Sequence, residues 1–592
     1  MRVLPLWLLC SVLSAAPTIT KVDPPNWWTG HSINPVRVLI RGTGLSGARA
    51  SAADSGIQVS AVKANNAGTY VFADVRVLRS GKHGIRITTA EGSTIAPFEA
   101  LTPLPRPGRF QGFSPDDLIY LIMPDRFANG DPSNDDPAIS KGLFDPSKTR
   151  YYHGGDLQGI INRLPYLKDL GVTALWINPL YDNVNHLNEK EKYDGQAITD
   201  YHGYGAVDFY GVEEHFGDMP KFRELTDKAH AMGIRVILDM VANHTGPYHP
   251  WVDDPPLPNW FHGTAAQHIK ETWQLWTLMD PHAGPELRRQ TLDGWFIDIL
   301  PDLNQEEPEV ARYIIQNTLW WVGMAGLDGI RQDTLPYVPR SFWRDWMAAI
   351  KKEYPKLEVV GEMFDGDPSL VSFFQGGKAR YDGIDSGVPA LFDFPLYYAI
   401  RHVFGAGQGM KELPVVLGHD PLYSNPNMLV TFLGLHDVAR FMGEPGATID
   451  GLKLAFTFLL TTRGIPMIYY GDELGMAGGN DPDNRRDFPG GASTADQRAV
   501  LGHVRKLAHL RSENADLRRG KLAVLAVTEH AYAYSRGETI VVLNNGASEE
   551  KLDFAARPGI WHDVLGAAGE VRSDGVLRVP LAPHSGAVLV RQ

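Results

Sequence analysis

The chain has 592 residues, too many for one hydrophobic core and enough for about two to four domains. Apolar residues make up 43% and charged residues 21%, the composition of an ordinary globular protein rather than a disordered or membrane-embedded one. With 56 basic against 69 acidic residues, a formal charge of −13 and no basic tract, nucleic acid is not an expected partner.

Residues 1–16 have the make-up of a secretory signal. Arg2 supplies a minimal positive start, Val3 to Leu13 is mostly apolar, and Ser14, Ala15 and Ala16 are small residues before Pro17. The run is too short to span a membrane. Cys10, the sole cysteine, follows Leu9, where a lipoprotein signal wants a small residue. Cleavage would leave a cysteine-free chain in the periplasm or outside the cell. Residues 17–105 carry short β-rich runs, such as Val36 to Ile40, Tyr70 to Ala73 and Gly84 to Ile87, between Gly/Ser/Asn turns. That spacing predicts a β-sandwich. A stiff Pro-rich linker, Pro103 to Gly108, follows.

From 113 to 512 the pattern becomes strand then helix. Leu118 to Met123 is an apolar strand. Leu157 to Leu170 is helical, with apolar residues at 157, 160, 161, 164, 167 and 170. Val172 to Ile177, Met219 to Met232 and Ile234 to Met240 continue as strand, helix and strand. This alternation predicts parallel βα units, enough of them for an eight-fold (β/α)8 TIM barrel of the α/β class. Residues 245–300, rich in Trp, Pro and His, break the pattern and read as an inserted subdomain. After Leu510 strands return, and 513–592 is expected to be a second β-sandwich.

Four constellations fall at predicted strand ends. Gly329-Ile330-Arg331-Gln332-Asp333 ends in Arg-x-Asp, which puts both side chains on one face of a strand. The C-terminal end of a barrel strand is where active sites sit, although a surface ion pair has the same local pattern. Val359-Val360-Gly361-Glu362 ends the next strand in another carboxylate. Asp239-Met240-Val241-Ala242-Asn243-His244 follows an apolar run, and a buried Asn/His loop cap is its plainer reading. Phe432 to Leu435 leads into His436-Asp437, where a helix cap is the alternative.

Taken jointly, Asp239-x-Val241-x-Asn243-His244, Gly329-x-Arg331-x-Asp333, Gly361-Glu362 and His436-Asp437 match in order the signature regions of the α-amylase family of glycoside hydrolases, which the chain resembles from about 113 to 592. Pro24-Pro25-Asn26-Trp27-Trp28 and Leu300-Pro301-Asp302-Leu303-Asn304 look like features of its cyclomaltodextrinase and neopullulanase-type members. The resemblance implies Asp333 as nucleophile, Glu362 as acid and base, and Asp437 as the group that binds hydroxyls of the distorted sugar and stabilises the transition state. It implies that Arg331 orients Asp333 and keeps it ionised, and that His244 and His436 bind hydroxyls. Retention follows, with the two carboxyls about 5–5.5 Å apart. Tyr201-His202-Gly203-Tyr204 matches a further feature, with Tyr204 stacking on the sugar and His202 beside it. Asp481 and Arg485 match a loop after the eighth strand, where they would pair at the edge of the site.

The loop Asn129 to Asp136 and the following Gly155-Asp156 are dense in oxygen ligands. In related neopullulanase-type enzymes the matching loop holds calcium. That implies a structural Ca²⁺ on Asn129, Asp131, Asn134, Asp135, the Gly155 carbonyl and Asp156, with a metal-free turn as the alternative. The chain departs from the family pattern at Leu435, where Asn is common, at Pro336 and Tyr337, where Lys and His or Glu are common, and at Phe364, where Trp is frequent. These departures bear on substrate choice. The expected activity is retaining hydrolysis of α-1,4 bonds in cyclodextrins and short maltodextrins, with transglycosylation as a side reaction. A neopullulanase or maltogenic amylase acting on starch or pullulan is the second reading. A non-catalytic glucan-binding protein on the same fold, of the kind that loses one or more of the three carboxylates, is the third. N-terminal sandwiches in this group often help form homodimers.

Overall fold

The computed structural model describes residues 16–592. The signal-like segment up to Ala15 lies outside them. Among the described residues no helix is long and apolar enough to cross a membrane. The chain divides into two compact units.

The first unit comprises the residues up to Leu104 with Asp253–Trp260 and Arg312–Trp320. Its strands form two four-stranded sheets. In one, Thr18–Asp23, Val36–Thr43, Tyr70–Val77 and Ile57–Ala64 lie side by side and antiparallel. In the other, Asn26–Trp28 joins Gly92–Leu101, Gly81–Thr89 and Arg49–Ala52. Val38, Ile40, Phe72, Ile85, Ile87, Phe98 and Trp27 are buried. The Trp27 indole N–H donates to the Ile33 carbonyl at 2.8 Å, so the ring is covered without stranding its donor.

The second unit holds a parallel barrel. Its eight strands are Ile119–Ile122, Ala174–Ile177, Arg235–Met240, Gly329–Gln332, Glu358–Gly361, Ala390–Leu391, Val430–Phe432 and Ile465–Tyr469. They follow one another in space as they do in sequence, all parallel. A bridge between Phe392 and Val430 joins strand six to strand seven and closes the ring. Strands buried on both faces must be apolar throughout, which is why Ile119–Ile122 and Ala174–Ile177 read as unbroken apolar runs. A helix follows each strand: Leu157–Leu170, Met219–Ala231, Pro308–Ala325, Arg340–Glu353, Pro368–Phe374, Phe394–Ile400, Ile449–Thr461 and Ala495–Glu513. Side chains cap several of them. Asp218 accepts from the Lys221 N–H, and Thr494 and Gln497 form a reciprocal capping box.

The segment 245–300 holds only short elements. Ile269–Lys270 pairs with Gly294–Trp295, around the helices Trp276–Met279 and Pro285–Leu292. Its stretch Asp253–Trp260 belongs to the first unit. A second excursion, which hydrophobic periodicity did not announce, follows strand two. Tyr181–Asp182 pairs with Asp208–Val212, and Asn188–Tyr193 with Gln196–Ile198. Beyond the barrel, six strands from Leu522–Val527 to Ser585–Arg591 form one sheet, faced by the pair Glu550–Ala555 and Val576–Leu581. Val542, Leu552, Trp561, Leu577 and Leu589 are among its buried core.

Strand seven is held in place by aromatic packing. Phe432 is fully buried and lies against Phe394 and Tyr397, with ring centres 5.1 and 4.8 Å away. Replacing Phe432 by Ala should cost about 3–5 kcal/mol, read as a lower denaturant midpoint. Activity should fall with it, because the same strand leads into His436 and Asp437.

Candidate active site

A cleft of about 500 Å³ opens at the C-terminal ends of the barrel strands. Asp333 and Glu362 each lie one residue beyond their strands, so the barrel hydrogen bonds that end at Gln332 and Gly361 fix where they start. Arg331, on strand four, is fully buried beneath them. Its Nη1 donates to Asp239 Oδ1 at 2.9 Å and to Asp333 Oδ1 at 2.6 Å, and its Nη2 lies 2.8 Å from Glu362 Oε1. One guanidinium thus reaches three carboxylates from three adjacent strands. Thr334 also ties the pair together. Its hydroxyl donates to Asp333 Oδ2 and its backbone N–H to Glu362 Oε2, each at 3.1 Å.

Charge balance then separates the acids. Burial pushes the Glu362 carboxyl up to about 8, and the Asp333 and Asp437 charges add to the rise against the pull of Arg331. Burial also raises Asp239. Asp239 nevertheless keeps both oxygens engaged: Oδ2 accepts from Tyr204 Oη at 2.8 Å and from the Trp176 indole at 3.0 Å. Glu362 is therefore the protonated member near neutral pH, as a general acid must be.

The remaining residues singled out from the sequence fall into two groups. His202, Tyr204, His244, Asp437, Asp481 and Arg485 line the cleft. Arg331 and His436 lie behind its surface. His436 Nε2 is engaged by Tyr204 Oη at 2.8 Å and lies 3.1 Å from Asp437 Oδ2, and its ring is parallel to Tyr204. It therefore acts on the site through Tyr204 and Asp437. Burial holds His202 and His436 well below the ordinary histidine value, with Arg485 adding to both, and lowers His244 to about 4. All three are neutral at physiological pH and suited to hydroxyl hydrogen bonds. Asp437 is one-third exposed and held by Arg485 Nη2 at 3.1 Å. Arg485 Nε also pairs with Asp481 at 3.2 Å. Leu435 is wholly buried, so the site carries no amide at that position.

Several lining residues had no local signature. Arg150, Glu191 and Asp200 extend the polar wall. Arg150 pairs with Asp481 at 2.5 Å and lies 3.7 Å from Glu191. Trp273, Leu275, Phe296, Ile297, Leu300, Tyr337 and Phe364 form an apolar wall. Tyr337 and Phe364 stand among the family departures and Leu300 in a family motif; for the others only the aromatic density of 245–300 is a hint. Asn178, beneath Tyr204, donates to its hydroxyl at 2.7 Å. Its place at the end of strand two was the available signal.

The residues matched to a calcium site gather in one loop and the first helix turn. Asp156 caps Leu157–Leu170, its oxygens accepting from the N–H groups of Gly159 at 2.5 Å, Asp131 at 2.7 Å and Gly130 at 3.1 Å. Gly155 sits beside it, its N–H on the Asp125 carbonyl. Asn129 donates to Asp135 at 2.7 Å, and Asp131 accepts from Ser133. Burial raises Asp135, as do the Asp156 and Asp131 charges. Burial and the Asp131 charge raise Asp156. The buried Asn134 Oδ1 has no hydrogen-bond partner. Crowded carboxylates and an orphaned amide oxygen are a donor set that fits a hard cation.

Removing the Arg331 cation leaves three buried carboxylates facing one another. Arg331→Met should cost about 3–5 kcal/mol at neutral pH. The Asp239 and Glu362 carboxyls, raised above their unfolded values, ionise at a penalty, so the loss should shrink as pH falls and they protonate. Denaturant midpoints at pH 5 and pH 8 test this.

Two family models match the chain: "Alpha amylase, catalytic domain" over residues 121–500 and "Cyclomaltodextrinase, N-terminal" over residues 21–99. The β/α-amylase of Paenibacillus polymyxa is 35% identical over 72% of this chain, which spans only 33% of that longer protein. Neopullulanase 2 of Thermoactinomyces vulgaris and the cyclomaltodextrinase of Thermoanaerobacter pseudethanolicus are each 30% identical, over 80% of this chain and 77% of theirs. Among solved structures, an Anoxybacillus α-amylase superposes with a TM-score of 0.69 at 33% identity, covering 81% of this chain and 98% of its own. With its barrel, its motifs in order and these matches, the chain belongs to the α-amylase family of glycoside hydrolases and carries a cyclomaltodextrinase-type N-terminal domain.

Proposed function

We propose that the protein hydrolyses α-1,4-glucosidic bonds of cyclodextrins and short maltodextrins with retention, by double displacement. One observation carries this reading: Asp333 and Glu362 share the single buried guanidinium of Arg331. Two carboxyls held on one guanidinium suit the short acid–nucleophile separation that a covalent, retaining route requires. Asp333 attacks the anomeric carbon while Glu362 gives its proton to the glycosidic oxygen, and that carbon–oxygen bond breaks. The leaving sugar departs as an alcohol and a β-glycosyl ester remains on Asp333. Water then attacks the same carbon, Glu362 takes its proton, and the ester bond breaks to return the Asp333 carboxylate and an α-anomer. A sugar hydroxyl in place of water gives transglycosylation. Asp437 and the neutral His202 and His244 hold hydroxyls of the reacting ring, and Arg485 fixes Asp437.

The N-terminal match and the cyclomaltodextrinase relative support small cyclic and linear glucans. Neopullulanase 2, at equal identity, supports longer polymers as the second reading. Rates on β-cyclodextrin, pullulan and soluble starch separate them: starch or pullulan turned over faster than β-cyclodextrin replaces the first reading by the second. Absence of reducing-sugar release from all three points to the non-catalytic reading.

We further propose that Asn129, Asp131, Asn134, Asp135, Gly155 and Asp156 hold one structural Ca²⁺. Bound there, the ion would neutralise the crowded carboxylates and pin the loop to the first barrel helix. A chelator should lower the melting temperature, added Ca²⁺ should restore it, and Asp135→Ala should abolish both responses.

Glu362 must be protonated for the first step. Hence kcat/KM on maltooligosaccharides should fall about tenfold per pH unit above about 8. Glu362→Gln should lower that activity by about 10²–10⁴-fold. The first step with α-maltosyl fluoride, whose leaving group needs no proton, should be largely spared, as a burst of fluoride would show.

A further inference from the structure

Trp273 has a φ of 59°, in the left-handed region that bulky residues rarely enter. Such strain persists where the surroundings over-determine it, and it gathers at functional sites. Two sets of contacts hold it here. A carboxyl oxygen of the buried Glu271 accepts a hydrogen bond from the Trp273 backbone N–H at 2.7 Å. The indole packs edge-on against Phe296, with ring centres 4.7 Å apart and planes at 70°, and against Tyr337, at 5.8 Å and 86°. Even so, Trp273 is 51% exposed and lines the cleft that contains Asp333 and Glu362. The molecule keeps a large aromatic ring half in water, on a strained backbone, packed against two rings and with the rest of its surface open beside the cleft.

Its neighbours say which part of a substrate meets that surface. Tyr337 ends the turn Leu335–Tyr337, which follows Asp333 and is bonded to strand five through the Leu335 N–H on the Glu362 carbonyl at 3.2 Å. Trp273 thus stands on the Glu362 side, with Phe364, away from the ion-paired wall of Arg150, Asp481 and Arg485. In the proposed reaction Glu362 protonates the departing oxygen, so this side receives the leaving group. The C–H face of a pyranose is apolar and buries well on an aromatic ring.

Resting on the hydrolase reading above, we propose that Trp273 is the platform on which the sugar leaving group stacks, together with any sugar acceptor in transglycosylation, and that Glu271 is the positioning residue that holds the ring there. The test compares maltotetraose with α-maltosyl fluoride, whose leaving group is a single atom that cannot reach the platform. Trp273→Ala should lower the ratio of kcat/KM on maltotetraose to that on α-maltosyl fluoride about tenfold, mainly through KM. It should also lower the fraction of transfer products at high maltotetraose concentration. Trp273→Phe should recover most of the ratio. Glu271→Ala should reproduce the Trp273→Ala pattern, and Glu271→Gln should restore most of it, because an amide oxygen still accepts the N–H. An unchanged ratio in Trp273→Ala, with both substrates slowed together or neither, overturns the proposal. A wild type inert on both substrates sinks the hydrolase reading itself, and this proposal with it.

Discussion

One buried cation organises the cleft. Arg331 has no exposure and is the only guanidinium among the described residues that touches Asp239, Asp333 and Glu362 together. A single positive charge cannot support three ionised carboxylates that are this deeply buried. The proton that must remain goes to Glu362, which is buried and faces both Asp333 and Asp437. Arg331 Nη1 donates to both oxygens of Asp239 and to Asp333 Oδ1, whereas on the guanidinium Glu362 is met only by Nη2. The Glu362 and Asp333 carboxyls are thus distinguished by their surroundings rather than by their chemistry.

The barrel makes this arrangement possible because parallel strands deliver their ends to one rim. Asp239 comes from strand three, Arg331 from strand four and Glu362 from just beyond strand five. Asp437 and Arg485 arrive from the loops after strands seven and eight. Around this floor the two walls differ in kind. Ion pairs run from Asp437 through Arg485 and Asp481 to Arg150 and make one wall polar and stiff. The other is a set of interlocked aromatic rings from the 245–300 segment and the turn after Asp333. The cleft therefore offers fixed charges on one side of its floor and apolar faces on the other.

The family departures acquire a physical meaning in this setting. Pro336 and Tyr337 stand where polar side chains are common in the family. Here the turn is buried, and Tyr337 packs its ring against Phe296, 5.4 Å away. Leu435 is covered within the core rather than turned to the cleft. The substitutions exchange polar groups for packing and leave this wall of the cleft to aromatic surface.

The barrel strands and helices were legible as sequence, and their ends fall within a few residues of the apolar runs, because buried parallel strands and amphipathic helices impose local periods on the chain. Asp333, Glu362, Asp437 and His244 were legible for a related reason: each follows a barrel strand within a short polar signature, whereas Tyr204 and Arg485, in loops, were marked only by the family resemblance. Arg150, Glu191, Asp200, Trp273 and Phe296 were not. They sit in long excursions without periodicity, and nothing near them in sequence tells a lining side chain from a loop side chain. By itself the sequence determined the elements of this protein and the identity of its acids. Only the tertiary structure decided which cation those acids share, which of them keeps its proton and which aromatic rings face them. Those properties depend on side chains separated by up to hundreds of residues that meet only when the barrel closes.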